Sequence, residues 1–216
     1  MVTGGGTVDR NVFLHYECTF EKSIWALKEL RKTKGIGTGT YIVTNENYMY
    51  VDELTEMLNR YNIPIILSPI IMPTTHGDKT PTELRLSRDQ LKIIMSKYAT
   101  NLFGASCTAG ISRFRIRPDG VVNPCEMMRT IDLGNVYNDS FKKVMDGDKR
   151  KKWVEEYKKI LDKHECNSCR LRKRCNMCPG LFYVQNGDYN KKDDFLCMHA
   201  TIKEEIDIER KGGMEK

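Results

Sequence analysis

The chain has 216 residues, 40% of them hydrophobic and 30% charged, and its 35 basic and 29 acidic residues leave a net charge of +6. This is a globular balance that excludes a collagen, a fibre or a disordered tract, and the length suits one large domain or two small ones. The longest apolar stretch, 63–72, is broken by Pro64, Ser68 and Pro69 and falls short of the roughly 18 residues that a membrane span needs. No basic start followed by an apolar core opens the chain, so no export signal is read and a cytoplasmic location is expected.

In chain order, 20–32 places Phe20, Ile24, Leu27 and Leu30 at spacings of three and four, which predicts a helix with one apolar face. Gly35 and Gly37 are expected to end it by taking the left-handed conformation. A strand is expected at 40–43, and a second helix over 51–61 with Val51, Leu54, Leu58 and Tyr61 inward. The run 63–67 reads as a strand buried on both faces. Ser87 is placed to cap a third helix that turns Leu91, Ile94 and Met95 inward. Alternation of this kind implies βα units and a parallel sheet. Two clear strands, with a possible irregular one near 3–7, neither close a barrel nor cover a sheet. The first hundred residues therefore read as a piece of a larger fold with exposed apolar edges, and poor solubility or self-association is expected.

The second half differs. Residues 114–122 alternate, turn at Pro118-Asp119-Gly120 and return, which predicts a hairpin with positive φ at Gly120. Asp139-Ser140 opens a short helix, and 149–163 forms a longer one carrying Trp153, Tyr157, Ile160 and Leu161. The segment 166–178 has too few apolar residues for a core of its own and needs metal to fold.

The cysteines carry the chemistry. Of eight, Cys18 stands alone, and Cys107, Cys125, Cys166, Cys169, Cys175, Cys178 and Cys197 fall within 91 residues. Without an export signal, clustered cysteines read as metal ligands before disulfides or unrelated buried thiols. Thiolates take zinc or iron–sulfur clusters. Zinc pairs are usually a dozen or more residues apart, whereas five separate Cys169 from Cys175, so the spacing favours iron–sulfur. Seven cysteines suit two clusters, one of them short of a ligand. The basic run Arg170 to Arg174 reads as charge balance for an anionic cluster rather than as a nucleic-acid patch.

The order Cys107-x12-Gly120-x4-Cys125, then Cys166-x2-Cys169-x5-Cys175-x2-Cys178, then Cys197 resembles the SPASM domain, the auxiliary-cluster module of many radical S-adenosylmethionine (radical SAM) enzymes, including peptide maturases and sulfatase-maturing enzymes. It departs from that pattern in one place, the last close spacing being two residues, not three. The resemblance implies two [4Fe–4S] clusters. Auxiliary cluster I would take Cys107, Cys125 and Cys178, and cluster II Cys166, Cys169, Cys175 and Cys197. Some relatives supply a fourth cysteine soon after the first, and 108–113 has none, which implies an iron that is open or held by another residue or by substrate.

Residues 20–32, 41–48 and 63–68 resemble the C-terminal part of a radical SAM barrel. The implied architecture is α/β: the end of a partial (β/α)6 barrel over 1–100, then a small cysteine-rich α+β SPASM domain over 101–216. His76 and Asp78 sit where that family lines its substrate cavity, although a solvated turn explains them equally well. His199 is expected at the surface. The Cys-x3-Cys-x2-Cys motif that binds the S-adenosylmethionine cluster is absent from the sequence, so reductive cleavage of S-adenosylmethionine requires a cluster supplied from elsewhere. The resemblance thus implies a truncated or split oxidoreductase that modifies a peptide or protein side chain. Its partners would be a chain completing the barrel, or a second copy, and a reductant such as ferredoxin or flavodoxin. A standalone iron–sulfur electron-transfer or scaffold protein, and a zinc module using its basic loop on nucleic acid, are the alternatives.

Overall fold

The computed structural model describes residues 2–3, 19–33, 37–74, 76–98, 107–175 and 177–213. The chain forms two compact units: Met1–Ile71 with Thr80–Leu102 and Ile202–Lys216, and Met72–Lys79 with Phe103–Thr201. Helices and short strands mix in the molecule, and no helix among the described residues is long and apolar enough to cross a membrane.

In the first unit a three-stranded parallel sheet runs in the order β1 (Val2–Thr3), β2 (Gly39–Ile42), β3 (Ile65–Ser68). The register sets Val2 against Gly39, and Thr40 against Ile66. Parallel strands need crossovers, which α1 (Thr19–Lys32) and α2 (Val51–Asn59) provide. The apolar stripe of α2 buries Val51, Leu54 and Leu58. Leu27 of α1 is buried, whereas Leu30 is 40% and Tyr61 45% exposed, so both expected apolar faces are narrower than their periodicity suggests. In β3 only Leu67 is buried, because a sheet this narrow cannot cover both faces of a strand. Gly35 lies outside the described residues, and Gly37 has no positive φ, so the expected left-handed stop at Gly37 is not taken.

Helix α3 (Arg88–Lys97) begins as expected with Ser87 in a reciprocal capping box with Gln90, and it buries Leu91, Ile94 and Met95. Its exposed side meets the C-terminal half of α7 (Asp194–Gly213). Arg88 pairs there with Glu205, the Lys92 ammonium lies 2.6 Å from Glu209, and Arg210 donates to the Ser96 carbonyl at 2.8 Å. Helix α7 was not expected from the sequence. Its start is nonetheless marked by Asp193, whose carboxylate accepts from the Leu196 amide at 2.8 Å, ahead of the buried Phe195, Leu196, Ala200, Ile202 and Ile206.

The second unit is built on an antiparallel hairpin, β4 (Arg115–Ile116) with β5 (Val122–Asn123), followed by α4 (Phe141–Asp146), α5 (Asp148–Lys163) and α6 (Pro179–Asn186). Gly120 turns the hairpin with φ of +81°, the conformation expected from Pro118-Asp119-Gly120. Ser140 caps α4 through the Lys143 amide. Val122, Cys125, Met128, Leu133, Val144, Trp153 and Tyr157 form one core cluster, with Ile160 and Leu161 half-buried against it. A cysteine sits inside this core, which ties the fold of the unit to its chemistry.

Candidate metal centre

The hairpin delivers the first pair of thiols. After Gly120 the chain returns along β5 to Cys125, and the Gly110 amide donates to the Pro124 carbonyl at 3.1 Å, tying the Cys107 segment to the Cys125 segment. The third thiol arrives from the other end of the unit. Cys178 is the residue before α6, whose first turn holds Pro179 and Gly180. A Cβ on Gly180 would meet the Met127 Cβ at 3.0 Å, a tight contact that glycine avoids where α6 packs on the turn after Cys125.

Cys107, Cys125 and Cys178 form one set, each within electrostatic reach of the others. Cys125 is buried, Cys107 and Cys178 are half-buried, and backbone amides point at the set. Burial pushes the Cys125 thiol up, while the Met127 and Met128 amides pull it back. Burial pushes Cys178 up to about 12, against the opposing amides of Leu181 and Gly180 at the start of α6. Tyr157, 2% exposed, places its hydroxyl 3.3 Å from Cys107 Sγ. Its ring stacks on Trp153 at 5.0 Å and meets Tyr189 edge-on at 6.3 Å. Burial, then the contact with Cys107, raises its phenol far above the ordinary tyrosine value, so it faces all three thiols as a neutral O–H. Sequence periodicity marked Tyr157 only as part of an apolar face.

Cys166, Cys169, Cys175 and Cys197 form the second set, in which burial and then neighbouring thiols and carboxylates, Glu165, Asp193 and Asp194 among them, push Cys166, Cys175 and Cys197 up. A 3-10 turn, Glu165–Ser168, holds Cys166, and Cys169 follows directly. Cys197 lies in the first turn of α7, its amide bonded to the Asp193 carbonyl at 3.0 Å. Burial pushes Cys166 up to about 11, followed by the charges of Cys197 and Cys175. This set has cations beside it: Arg172 draws Cys175 down and donates to its carbonyl at 3.2 Å, and Lys192 draws Cys197 down. Leu171 turns inward between the basic residues. His164, almost fully buried, accepts the Cys166 amide on Nδ1 at 3.1 Å and lies against the Phe182 ring. His199 is also buried, 1% exposed and edge-on to Phe195, which corrects the expected surface imidazole: both residues lie one helical turn apart on the inward side of α7.

Among the described residues, no three His, Cys, Asp or Glu side chains close on a single metal ion. The donor chemistry, all sulfur, is that of an iron–sulfur or a zinc site. Cys18 lies outside the described residues. His76 and Asp78 are exposed; Asp78 closes a turn with Thr74 through a 2.8 Å backbone bond.

Residues 107–179 match the family model of SPASM, an iron-sulfur cluster-binding domain. The chain carries a SPASM domain. Six of the seven clustered cysteines fall inside the matched residues, and Cys197 lies beyond them. The SPASM domain makes the chain an iron–sulfur-binding protein. No curated protein matches the chain, and no solved structure does.

Proposed function

We propose that the chain is the auxiliary-cluster part of a radical SAM enzyme that modifies a peptide or protein side chain. The observation that carries this reading is the sorting of seven SPASM-region thiols into a set of three and a set of four. Cys107, Cys125 and Cys178 would hold one [4Fe–4S] cluster, and Cys166, Cys169, Cys175 and Cys197 the other. When bound, such clusters supply a one-electron acceptor or an anchoring site for substrate. The chain's own residues set their surroundings. Backbone amides from the Met127–Met128 turn and from the start of α6 face the thiols of the first set. Tyr157 shields that set and offers it a hydroxyl. Arg172 and Lys192 offset negative charge at the second set.

The first unit, with three parallel strands crossed by helices, supports assignment to the C-terminal end of a partial radical SAM barrel over 1–100, followed by the SPASM domain over 101–216. The missing S-adenosylmethionine cluster would come from a separate chain or from upstream sequence, and electrons from a ferredoxin- or flavodoxin-like reductant. Exposed Trp25, Met49, Ile93 and Ile208 in this unit support association of that kind.

Iron and acid-labile sulfide analysis after anaerobic purification tests the reading. About eight irons and eight sulfides per chain are expected for two cubanes. One or two zinc ions without sulfide would replace it with a zinc module.

A further inference from the structure

Alternate residues of a strand point to one side. Arg115 and Arg117 therefore share a face of the hairpin, opposite Asn123 and Val121, which pair with them. The loop after Cys125 adds Arg129 and Asp132 to that face, His76 joins from the 72–79 segment of the same unit, and together they line a cavity of about 520 Å³. Three guanidinium groups thus line a cavity in which, among the described residues, Asp132 is the one lining carboxylate. That carboxylate, Asp132, already receives the Lys149 ammonium at 3.1 Å, and Arg117 is taken up by Asp119 at 2.6 Å. Arg115 and Arg129 have no carboxylate among the described residues. Arg115 donates to the Asn123 side-chain oxygen at 3.1 Å, and Arg129 to the Glu126 carbonyl at 2.9 Å. Each spends one donor of five on a neutral acceptor and keeps its charge unmatched.

The arrangement is held in place. Asn123 is 1% exposed, and its amide nitrogen donates to the Ile131 carbonyl at 2.7 Å and to the Arg129 carbonyl at 3.3 Å. One buried side chain thereby orients Arg115 and anchors the loop that bears Arg129. A second cavity of about 400 Å³ shares Arg129 and Thr130 with the first and adds Lys191, with Met127, Tyr183 and Gln185 offering apolar and polar contacts.

We infer that this arginine-lined cavity binds carboxylate side chains of an acidic peptide segment, with Arg115 and Arg129 as the paired anchors. Planar guanidinium forks match carboxylates in a two-point geometry. Single-stranded nucleic acid recognition relies on aromatic platforms for base stacking, and His76 is the one ring lining the arginine cavity among the described residues. The adjoining cavity carries the mixed apolar and hydrogen-bonding lining that a peptide needs. The inference rests on the reading that the SPASM unit meets a peptide, and it narrows that substrate to one rich in Asp or Glu.

The test is fluorescence anisotropy of the full chain with a labelled ten-residue peptide rich in Glu, the same peptide with Gln in place of Glu, and a single-stranded RNA of equal charge. Saturable, salt-sensitive binding of the Glu peptide alone is expected, weakened about tenfold by Arg129→Gln and further by adding Arg115→Gln. Lys151→Gln with Lys152→Gln removes the same charge from the exposed side of α5 and should leave binding unchanged. Arg129 is exposed, so its single substitution reports on binding even where the double variant folds poorly. Absence of binding, equal loss in the lysine variant, or preference for RNA would overturn the inference. Iron and sulfide content measured on the same preparations reports separately on the cluster reading.

Discussion

Replacing Tyr157 by Phe removes one oxygen from the centre of the second unit and leaves the ring in its stack on Trp153. The oxygen lost is the one 3.3 Å from Cys107 Sγ. In the metal-free protein this is a neutral hydrogen bond worth about 1 kcal/mol net, so the variant should unfold at modestly lower denaturant concentration. With a cluster held by the first set the acceptor would be a thiolate, and a hydrogen bond to a charged acceptor is worth about 1.5–3 kcal/mol. The bond strengthens as the cluster gains an electron. If between a third and all of about 1.5 kcal/mol distinguishes the two redox states, one midpoint potential falls by roughly 20–60 mV, since a one-electron couple moves 59 mV per tenfold change. Redox titration followed by electron paramagnetic resonance, under anaerobic conditions, reads both potentials separately. A negative shift confined to the cluster that Cys125→Ser abolishes is expected. Unchanged potentials in a folded Tyr157→Phe variant, or a shift of the other cluster, would refute the hydroxyl's place beside the first set.

Gly120→Ala forces a side chain onto a φ of +81° and brings its Cβ to 2.5 Å from the Asn135 side-chain oxygen, so a loss of about 1–3 kcal/mol, read from chemical denaturation, is expected together with lower iron content. The metal-free protein should lose stability as pH rises. The folded thiols of Cys166 and Cys178 hold their protons to about 11 and about 12, while thiols of the unfolded chain release theirs from about 8.5, so the folded state binds more protons in that window. Denaturation midpoints compared at pH 7.5 and 10 should fall in the metal-free form and hold in the loaded form, whose ligands are already deprotonated. Ser87→Ala removes the N-cap of α3 and should cost about 1 kcal/mol without altering iron content, since α3 belongs to the first unit.

The helices with strong periodicity, α2, α3 and α5, were legible because burial acts locally, and in α3 the Ser87 cap also marks the start. The parallel sheet was legible from alternation, although β1 is only two residues long. Helix α7 escaped because Cys197, read as a ligand, sits in its first turn and broke the view of a continuous apolar face. The seven cysteines and Gly120 were legible as a pattern, since spacing and positive φ leave marks in the sequence. What spacing could not give was the environment of each set. The amides facing Cys125 and Cys178, the Tyr157 hydroxyl and the Arg115–Arg129 cavity all arise from contacts between distant segments. His199 shows the same limit: the sequence supplies an imidazole near a cysteine, and only the packing of α7 turns it inward.

The central claim is that two separate groups of sulfurs each hold a cluster. Iron and sulfide counts on anaerobically prepared Cys125→Ser and Cys169→Ser variants test it most directly. Each variant should lose about four irons and four sulfides while keeping the other cluster's paramagnetic signal, and the double variant should lose nearly all. Loss of all iron from either single variant, or a wild-type preparation that contains no sulfide, would contradict the account.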